Sequence, residues 1–441
     1  MPSVLFEERA ATPVKAPELL LWNEAVAARL GLGRVPAEEL TGNALPEGAE
    51  PIAQGYAGHQ FGHPNMLGDG RAVLLGEQIA PDGARFDVAL KGSGRTRYSR
   101  SGDGRAALAP MLREYVVSEA MRGLGVPTTL SLAVLGTGEA VLREEIGPGG
   151  ILVRVAASHI RVGTFQLAAA LDDVSVLRAL ADHAMARHDP ELAAGDYAGF
   201  LAAVCGRQAR LIAEWMRVGF VHGVMNTDNM AISGETIDYG PCAFLESYGR
   251  DVVFSSIDHG GRYAFGEQPR IALWNLTRLA ESLLPLGGDV DAYQAILRGF
   301  PVAFEEHWNR VMRDKLGVSD DALTGEVLNW LEASGVDHTN FFRGLADALE
   351  RGEAVDAPWG ERWRGMTDAG SVARIRATAP AVIARNHMVD AALKAGAAGD
   401  LAPLKALVAA LADPYVESEA NAAFRVPARP EEAIRQTFCG T

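Results

Sequence analysis

The alternation of apolar and polar residues predicts a β-rich first third of the chain. Residues 72–77 and 86–91 form two strand-like runs, and the Ala-Pro-Asp-Gly segment at 80–83 between them is typical of a turn. We therefore predict a β-hairpin over 72–91, with a glycine-rich loop before its first strand. Further strands are predicted over 131–135, 139–143 and 150–156.

Helical spacing dominates the rest of the chain. Apolar residues recur every three or four positions over 105–124 and 200–216, and Gly219 follows the second run as a stop signal. A shorter helix is predicted over 20–30, and the region after Phe265 is predicted to be mostly helical. The fold class that follows from this pattern is α+β.

Charge narrows the range of functions. The 441 residues include 41 Lys+Arg and 56 Asp+Glu, a formal net charge of −15, which argues against a dedicated nucleic-acid or anionic-membrane binder. The N-terminus has no signal-peptide pattern, and no run reaches the length of a membrane span. The three cysteines, Cys205, Cys242 and Cys439, are too few for a disulfide framework. We expect a cytoplasmic monomer that binds neither nucleic acid nor membrane.

One stretch near the middle of the chain has the residues that a phosphotransferase needs. Asn229 and Asp238 lie nine positions apart, so a tight hairpin can bring both side chains to one Mg²⁺ ion. Kinase-like catalytic loops have His-x-Asp, then Asn after four more residues, then Asp-Phe-Gly. Here His222 and Asn229 match and Asp238 begins an Asp-Tyr-Gly, but the third position is Val224. A different carboxylate, Asp228, directly precedes Asn229.

Upstream features fit the same chemistry. Gly68 and Gly70 precede a predicted strand, where backbone N–H groups can approach phosphates. Lys91 resembles the strand lysine that pairs with phosphate oxygens, and Glu114 in the next predicted helix is placed to form an ion pair with it. Each feature is weak alone, because a Gly-x-Gly is usually a plain turn. Their order along one chain is what favours a phosphate-transfer site.

The chain resembles the selenoprotein O family of kinase-fold proteins. The resemblance runs from the Trp22-Asn-Glu start to Cys439 and is densest in QGYAGHQFGHPNMLGDGRA, LKGSGRTRYSRSGDGRA, SEAMRGLGVPTT, LVRVAASHIRVGTFQ, HGVMNTDNM and TIDYGPCAF. It implies transfer of AMP from ATP to hydroxyl side chains of other proteins, with the nucleotide flipped relative to a kinase. It also implies a protein-kinase-like two-lobed fold. The expected ranges are an N-terminal extension at 1–55, a β-rich lobe at 56–150, a mainly helical lobe with the catalytic and metal loops at 151–380, and a helical segment with a cysteine-containing tail at 381–441.

The resemblance also implies roles for individual residues. Asp228 matches the catalytic base, and Asn229 and Asp238 match the ligands of an Mg²⁺ or Mn²⁺ ion. The positions that match nucleotide contacts are Gly68, Gly70, Arg71, Lys91, Asp103, Gly104, Arg154, Arg161 and Asp238. The four cations in that set would hold the β- and γ-phosphates as a leaving pyrophosphate, with the α-phosphate at the metal and the acceptor.

The C-terminal end departs from the family pattern. Cys439 is followed by Gly-Thr, where the family commonly has two serines after its cysteine or selenocysteine. Phe254 stands where some members have a second cysteine, so a regulatory disulfide from Cys439 would need Cys242 instead. A redox role for Cys439 and an inert tail thiol both stay open.

Three functions stay open on the sequence. Protein AMPylation comes first, phosphoryl transfer to a protein or a small molecule second, and a non-catalytic ATP-binding scaffold third. UMP in place of AMP is open as well. Because Val224 replaces the aspartate that orients a hydroxyl toward the γ-phosphate, the ordinary kinase route is disfavoured.

Overall fold

The computed structural model describes residues 1–143 and 145–438, and within these residues eight strands form one antiparallel sheet. The strands, numbered along the chain, are β1 (Phe6–Glu8), β2 (Glu18–Trp22), β3 (Ile52–Gln60), β4 (His63–Gly68), β5 (Ala72–Ile79), β6 (Arg85–Lys91), β7 (Leu130–Leu142) and β8 (Ile146–Ala156). Their order across the sheet is β1-β3-β5-β6-β8-β7-β2, and β4 pairs with β3 off this path. A second, two-stranded sheet joins β9 (Phe220–Val221) and β10 (Ala243–Phe244).

Most of the helices follow β8, and they confirm the α+β class and the predicted helical region after Phe265. Along the chain they are α1 (Glu24–Leu30), α2 (Ala37–Thr41), α3 (Leu108–Gly123), α4 (Val162–Ala170), α5 (Val174–His188), α6 (Tyr197–Arg217), α7 (Gln268–Leu283), α8 (Val290–Leu316), α9 (Asp321–Ser334), α10 (His338–Arg351), α11 (Gly360–Met366), α12 (Ser371–Thr378), α13 (Asn386–Ala397) and α14 (Ala402–Leu411). None of the described helices is both long and apolar enough to cross a membrane.

Several predicted elements are confirmed with altered ends. The predicted hairpin exists, because β5 and β6 pair from Ala72 opposite Lys91 to Ile79 opposite Arg85. The separate strands predicted over 131–135 and 139–143 are one strand, β7. A shift of register between Gly136 and Ala140 makes this strand bulge rather than end.

The helix predicted over 20–30 is present but starts later than predicted, and the prediction of a glycine-rich loop before β5 was wrong. Residues 18–22 form β2 rather than helix, and α1 begins only at Glu24, where the side chain of Asn23 accepts a hydrogen bond from Val26 N at 3.2 Å. The glycine-rich stretch before β5 is not a loop but the β3–β4 hairpin. Its two turn residues, Phe61 and Gly62, have φ of 52° and 87°, the left-handed pair that a tight hairpin turn requires.

The main sheet separates two hydrophobic clusters. Successive residues of a strand face opposite sides, and so Ile151 and Val153 of β8 pack with α1 and α2, whereas Leu152 packs with α3 and the other helices. Strand residues that face the same way as Leu152 can therefore contact side chains of α3 and of the helices that follow β8.

Candidate active site

Three cationic side chains converge on the carboxylate of Asp238. Lys91 Nζ and Arg154 Nη1 each donate to Asp238 Oδ1 at 2.8 Å, and Arg161 Nη1 donates to Oδ2 at 3.2 Å. Glu114 accepts hydrogen bonds from the first two of these cations, at 2.5 Å from Lys91 and 3.2 Å from Arg154. Lys91, Arg154 and Arg161, the cation cluster, thus direct several charged N–H donors to one place, and such donors can also bind the oxygen atoms of a phosphate.

Strand register brings the cations together. Arg154 on β8 lies opposite Ala89 on β6, and Lys91 is two residues further along β6, so both cations project from the same, helix-covered face. Glu114 projects from α3, which packs on β7 and β8. Arg161 lies directly before the first residue of α4. Four elements thus contribute one side chain each.

Asp238 has an unusual backbone and a strongly stabilised charge. Its φ of 65° is in the left-handed region, which is uncommon for a residue other than glycine. Burial alone would raise its pKa, but Lys91, Arg154 and Arg161 hold the pKa well below the ordinary value. His222 supports the segment from behind, because its Nε2 donates to the carbonyl oxygen of Ile237 at 2.9 Å.

Asp228 lies in a short 3₁₀ turn, Thr227–Asn229, beside this cluster. The turn is fixed by Arg161 Nη1, which donates to the backbone oxygen of Asp228 at 2.9 Å. Burial raises the pKa of Asp228 to about 6, and its Oδ1 is buried with no hydrogen-bond partner among the described residues. Such an unpartnered carboxylate oxygen is available to accept a proton or a hydrogen bond from a bound molecule.

One cleft of about 1290 Å³ contains every residue that the sequence assigned to the site. The predicted residues along its wall are Gly68, Gly70, Arg71, Lys91, Asp103, Gly104, Glu114, Arg154, Arg161, Asp228, Asn229 and Asp238. The predicted Lys91–Glu114 ion pair is also present, with both side chains almost fully buried. They come from separate stretches of the chain between Gly68 and Asp238, and the sequence predicted that Lys91 lies near Glu114 and Asn229 near Asp238.

The glycines at 68 and 70 are explained by a protein contact. A Cβ on Gly68 would overlap the ring of Tyr98, and one on Gly70 would lie 2.9 Å from the backbone oxygen of Tyr98. Gly70 is held in addition by Ser99 Oγ, which donates to its backbone oxygen. The 96–99 segment therefore folds over the two glycines at the edge of the cleft.

Asp103 and Arg71 lie in the cleft but outside the cation cluster. Asp103 forms a two-pronged ion pair with Arg143, at 2.8 and 3.1 Å, and its side chain is half exposed. The backbone oxygen of Arg71 accepts from Gly92 N at 2.7 Å, which places Arg71 next to the end of β6. Both residues line the same cleft and are more exposed than the cations of that cluster.

The tip of the β3–β4 hairpin covers the turn that carries Asp228. His59 N donates to Thr227 Oγ1 at 2.7 Å, and Phe61 N donates to Asn226 Oδ1 at 3.2 Å. A Cβ on Gly58 would overlap Asp228 Oδ1. The hairpin and the turn are therefore in direct contact at the acidic side chain.

Comparison with known proteins identifies the family. A family profile described as "Protein adenylyltransferase SelO" matches residues 2–358. The chain belongs to the SelO family. Curated relatives carry the name "Protein nucleotidyltransferase YdiU". That of Jannaschia sp. (strain CCS1) is 50% identical over 470 residues, covering 100% of this chain and 97% of the relative. Those of Brevibacillus brevis and Geobacillus kaustophilus are also 50% identical, covering 100% of this chain and 96% and 97% of the relatives.

Membership in the SelO family makes the chain a nucleotidyltransferase, an enzyme that acts on a nucleotide substrate.

The sequence analysis did not predict three residues that lie beside the site. Tyr56 lies under Arg161, with the guanidinium carbon 4.5 Å from the ring centre. Asp69 is buried 4.0 Å from Arg161 Nη2. Arg113 donates from Nε to the backbone oxygen of Gly240 at 2.8 Å. Asp69 and Arg113 had a sequence signal, because each is next to a residue that was predicted for the site.

The structure describes Cys205 and Cys242 but not Cys439. Cys242 is buried, and burial raises the pKa of its thiol. The backbone oxygen of Phe254 accepts from Thr437 N at 2.7 Å, so the C-terminal segment runs past the position where some SelO members have a second cysteine. Cys439 itself lies outside the described residues, and its redox role stays a prediction.

Proposed function

We propose that the chain is a protein adenylyltransferase that transfers AMP from ATP to Ser, Thr or Tyr hydroxyls of other proteins and releases pyrophosphate. The observation that carries this proposal is the cation cluster of Lys91, Arg154 and Arg161 around Asp238, combined with Val224 in place of a catalytic aspartate. Three cationic side chains gathered at one point can hold the two phosphates of a leaving pyrophosphate, whereas Val224 offers no carboxylate to orient a hydroxyl toward the γ-phosphate.

The proposed architecture is a protein-kinase-like fold with two lobes and the active site between them. The buried Lys91–Glu114 pair, which joins a strand to a helix, supports this proposal because kinases use the same pair. The ranges 1–55, 56–150, 151–380 and 381–441 stay as the proposed division of the chain. In this arrangement the nucleotide would lie flipped, with its β- and γ-phosphates toward Lys91, Arg154 and Arg161.

Gly68, Gly70, Asp103 and Gly104 are proposed to contact the remainder of the nucleotide. Arg71, expected from the sequence at the β- and γ-phosphates, lies outside the cation cluster and is now proposed to contact this remainder as well. All five residues line the same cleft as the cation cluster, and Arg71 and Asp103 are more exposed than the cations of that cluster. That placement agrees with a nucleotide whose phosphate end is buried and whose other end is nearer the solvent.

The donor set near Asp228 fits a divalent ion. Asn229 and Asp238 supply hard oxygen atoms, which Mg²⁺ and Mn²⁺ prefer, and such ions commonly complete their shell with phosphate oxygens and water. An ion at these two residues would be held jointly by the protein and the nucleotide. When bound, the ion would neutralise charge on the phosphates.

Asp228 is the proposed general base. Its buried, unpartnered Oδ1 would take the proton of the acceptor hydroxyl as that oxygen forms a bond to the α-phosphorus. The bond between the α-phosphorus and its bridging oxygen to the β-phosphate then breaks, and pyrophosphate leaves with the electron pair. Lys91, Arg154 and Arg161 would stabilise the charge that develops on this leaving group.

The position of the label decides between the candidate functions. The enzyme is incubated with ATP labelled on the α- or the γ-phosphate, with Mg²⁺ or Mn²⁺, and with a mixture of proteins as acceptors. We expect protein label from α-labelled ATP alone, with pyrophosphate released. Label from γ-labelled ATP alone would make the enzyme a kinase, and nucleotide binding without label would make it a scaffold. A parallel reaction with α-labelled UTP tests UMP transfer.

Variants connect the label to the site. Asp238→Ala is expected to abolish transfer and metal-dependent ATP binding, and Asp228→Asn is expected to lower kcat at least about 100-fold with ATP affinity retained, because a base acts in the transition state. Asp251→Asn, a change at an exposed aspartate, is the control. Full turnover in Asp228→Asn would remove Asp228 from the mechanism.

A further inference from the structure

A buried chain of hydrogen bonds lies behind Arg154, on the side away from Asp238. Arg154 Nε donates to His159 Nε2 at 3.2 Å, and His159 Nδ1 lies 3.1 Å from Asp87 Oδ2. The three side chains are 2%, 3% and 3% exposed. Neither His159 nor Asp87 lines the cleft, so neither can touch the substrate there.

The bonding pattern fixes the protonation of His159. An arginine Nε always carries a proton and can only donate, so His159 Nε2 must be the acceptor and is unprotonated. The ring proton therefore lies on Nδ1 and is donated to Asp87. Burial lowers the pKa of His159, in agreement with a neutral ring.

Asp87 holds the ring in place. Its Oδ2 also accepts from the backbone N of His159 at 2.8 Å, and its Oδ1 accepts from Arg187 Nη2 at 2.7 Å. Asp87 lies on β6 opposite Ala156 of β8, the two strands that also carry Lys91 and Arg154. The imidazole is therefore attached to the same rigid part of the sheet as the side chain that it contacts.

The contact with His159 differs from the other contacts of Arg154. In the described part of the chain, the other partners of this guanidinium are Glu114 and Asp238, both on Nη1 and both in the cleft. An anion that binds in the cleft competes with those carboxylates for Nη1. The bond at Nε lies outside that competition and stays in place.

We propose that His159, oriented by Asp87, is a positioning residue for Arg154: it accepts the Nε–H and so keeps the terminal nitrogens directed at the bound phosphates. This inference rests on the proposed function in one respect, the contact between Arg154 and the nucleotide. Without this acceptor, the side chain of Arg154 has more freedom to rotate in the free enzyme. Fixing it when the nucleotide binds would then cost conformational entropy and weaken binding.

Two variants of His159 separate positioning from packing. His159→Gln places a side-chain oxygen near the Nε2 position and keeps an acceptor for Arg154, whereas His159→Asn keeps a polar group near Nδ1 for Asp87 and removes the acceptor. We expect His159→Asn to raise the KM and the dissociation constant for ATP about tenfold or more, and His159→Gln to restore both to within about threefold of wild type. Melting temperatures of the two variants should be similar. Equal weakening by both variants would mean a packing role and overturn the proposal.

A double-mutant cycle tests the same bond without relying on one variant. Lysine has no Nε–H, so in an Arg154→Lys background the change His159→Asn should alter ATP affinity less than about twofold. An undiminished effect in that background would overturn the positioning role while leaving the proposed function intact. If Arg154→Lys and Arg154→Ala both bound ATP as wild type does, the phosphate contact of Arg154, and with it that part of the proposed function, would fail instead.

Discussion

Gly58 shows how closely single residues are fitted around Asp228. A Cβ at this position would overlap Asp228 Oδ1 and lie 2.8 Å from Leu67 Cδ1, far below a normal contact. No side chain fits unless Asp228 or the hairpin moves. The absence of a side chain at 58 therefore protects the orientation of the carboxylate.

Gly58→Ala should consequently impair catalysis more than folding. We expect kcat for nucleotidyl transfer to fall about tenfold or more, because a small displacement of a reacting group is costly, with a change in ATP affinity of less than about threefold. Gly33→Ala is the matched control, since a Cβ there meets nothing within 4 Å. Steady-state kinetics measure kcat for both variants. Equal kcat values for Gly58→Ala and Gly33→Ala would show that catalysis tolerates a displaced Asp228 carboxylate.

Glu235 predicts a dependence of stability on pH. Burial raises the pKa of Glu235 from 4.5 to about 7, so between these values the folded chain holds a proton that the unfolded chain releases. The free energy of unfolding should therefore fall as pH rises from about 4.5 to 7. Glu235→Gln should remove this part of the dependence and stabilise the chain at pH 8 by roughly 1–3 kcal/mol, with little change at pH 4.5. Urea unfolding at both pH values measures this, with Glu191→Gln at an exposed glutamate as the control. If the free energy of unfolding changed with pH by the same amount in Glu235→Gln and in wild type, the prediction would be wrong.

Site residues could be predicted from the sequence where they belong to a motif. Lys91, Glu114, Asn229 and Asp238 were found from their order along the chain, and all line one cleft. His159 was not, because its two partners lie 5 and 72 positions away and nothing in its own neighbourhood indicates them. Asp87 comes close to His159 through the pairing of β6 with β8, which leaves no signal in the sequence around His159.

Among the elements, α3 has a double attachment to the site. Glu114 binds Lys91 of β6, and its neighbour Arg113 points to the loop after Asp238, where its Nε and Nη2 donate to backbone oxygens of Gly240 and Cys242. The position of α3 is therefore linked to the sheet and to the Asp238 loop at once. A shift of this helix would alter both.

Arg113→Ala tests whether the loop after Asp238 depends on its bonds to α3, apart from the stability of the helix itself. Two carbonyl groups lose a charged donor, so we expect a loss of roughly 1–3 kcal/mol of stability and a fall in ATP affinity of about tenfold through displacement of Asp238. Arg122→Ala on the same helix breaks only a pair within the helix, with Glu119, and serves as control. Hydrogen exchange of residues 238–243 should accelerate in Arg113→Ala alone; unchanged exchange would show that the loop does not depend on α3.

The β3–β4 hairpin explains why one element was mispredicted. Glycine is depleted in strands, so a stretch dense in glycine indicates a loop. Here the glycines are needed inside the strands, since Gly55, Gly58 and Gly68 each face a side chain within 3 Å of a hypothetical Cβ. These glycines are in strands because side chains from other segments pack directly against them, and a single sequence does not reveal such contacts.

For the molecule as a whole, the N-terminal range 1–55 is part of the sheet's packing. It supplies strands β1 and β2 and covers one face of the sheet with α1 and α2. Apolar spacing indicated that a helix lay there, but not that β2 pairs with β7, so that Glu18 lies opposite Gly136. Long-range pairing of this kind depends on register and topology rather than on local composition.

Leu30→Ala should therefore destabilise the whole chain. Leu30 is fully buried at the end of α1, and truncation of such a residue costs about 2–5 kcal/mol. Leu45→Ala, at a leucine 49% exposed in the same N-terminal stretch, is the control and should cost less than about 1 kcal/mol. Thermal or urea unfolding measures both. Equal small effects would show that the N-terminal range is a loosely attached extension.

The contact between the β3–β4 hairpin and the turn at Thr227–Asn229 has a mechanical consequence. Bonds from His59 to Thr227 and from Phe61 to Asn226 tie the sheet to the segment that carries Asp228. Both bonds start from backbone N–H groups of the hairpin, so they do not compete with a bound anion as the bonds of Lys91 and Arg154 to Asp238 do. The spacing between Asp228 and the sheet is therefore set by the backbone, and it should stay the same whether the cleft is empty or filled.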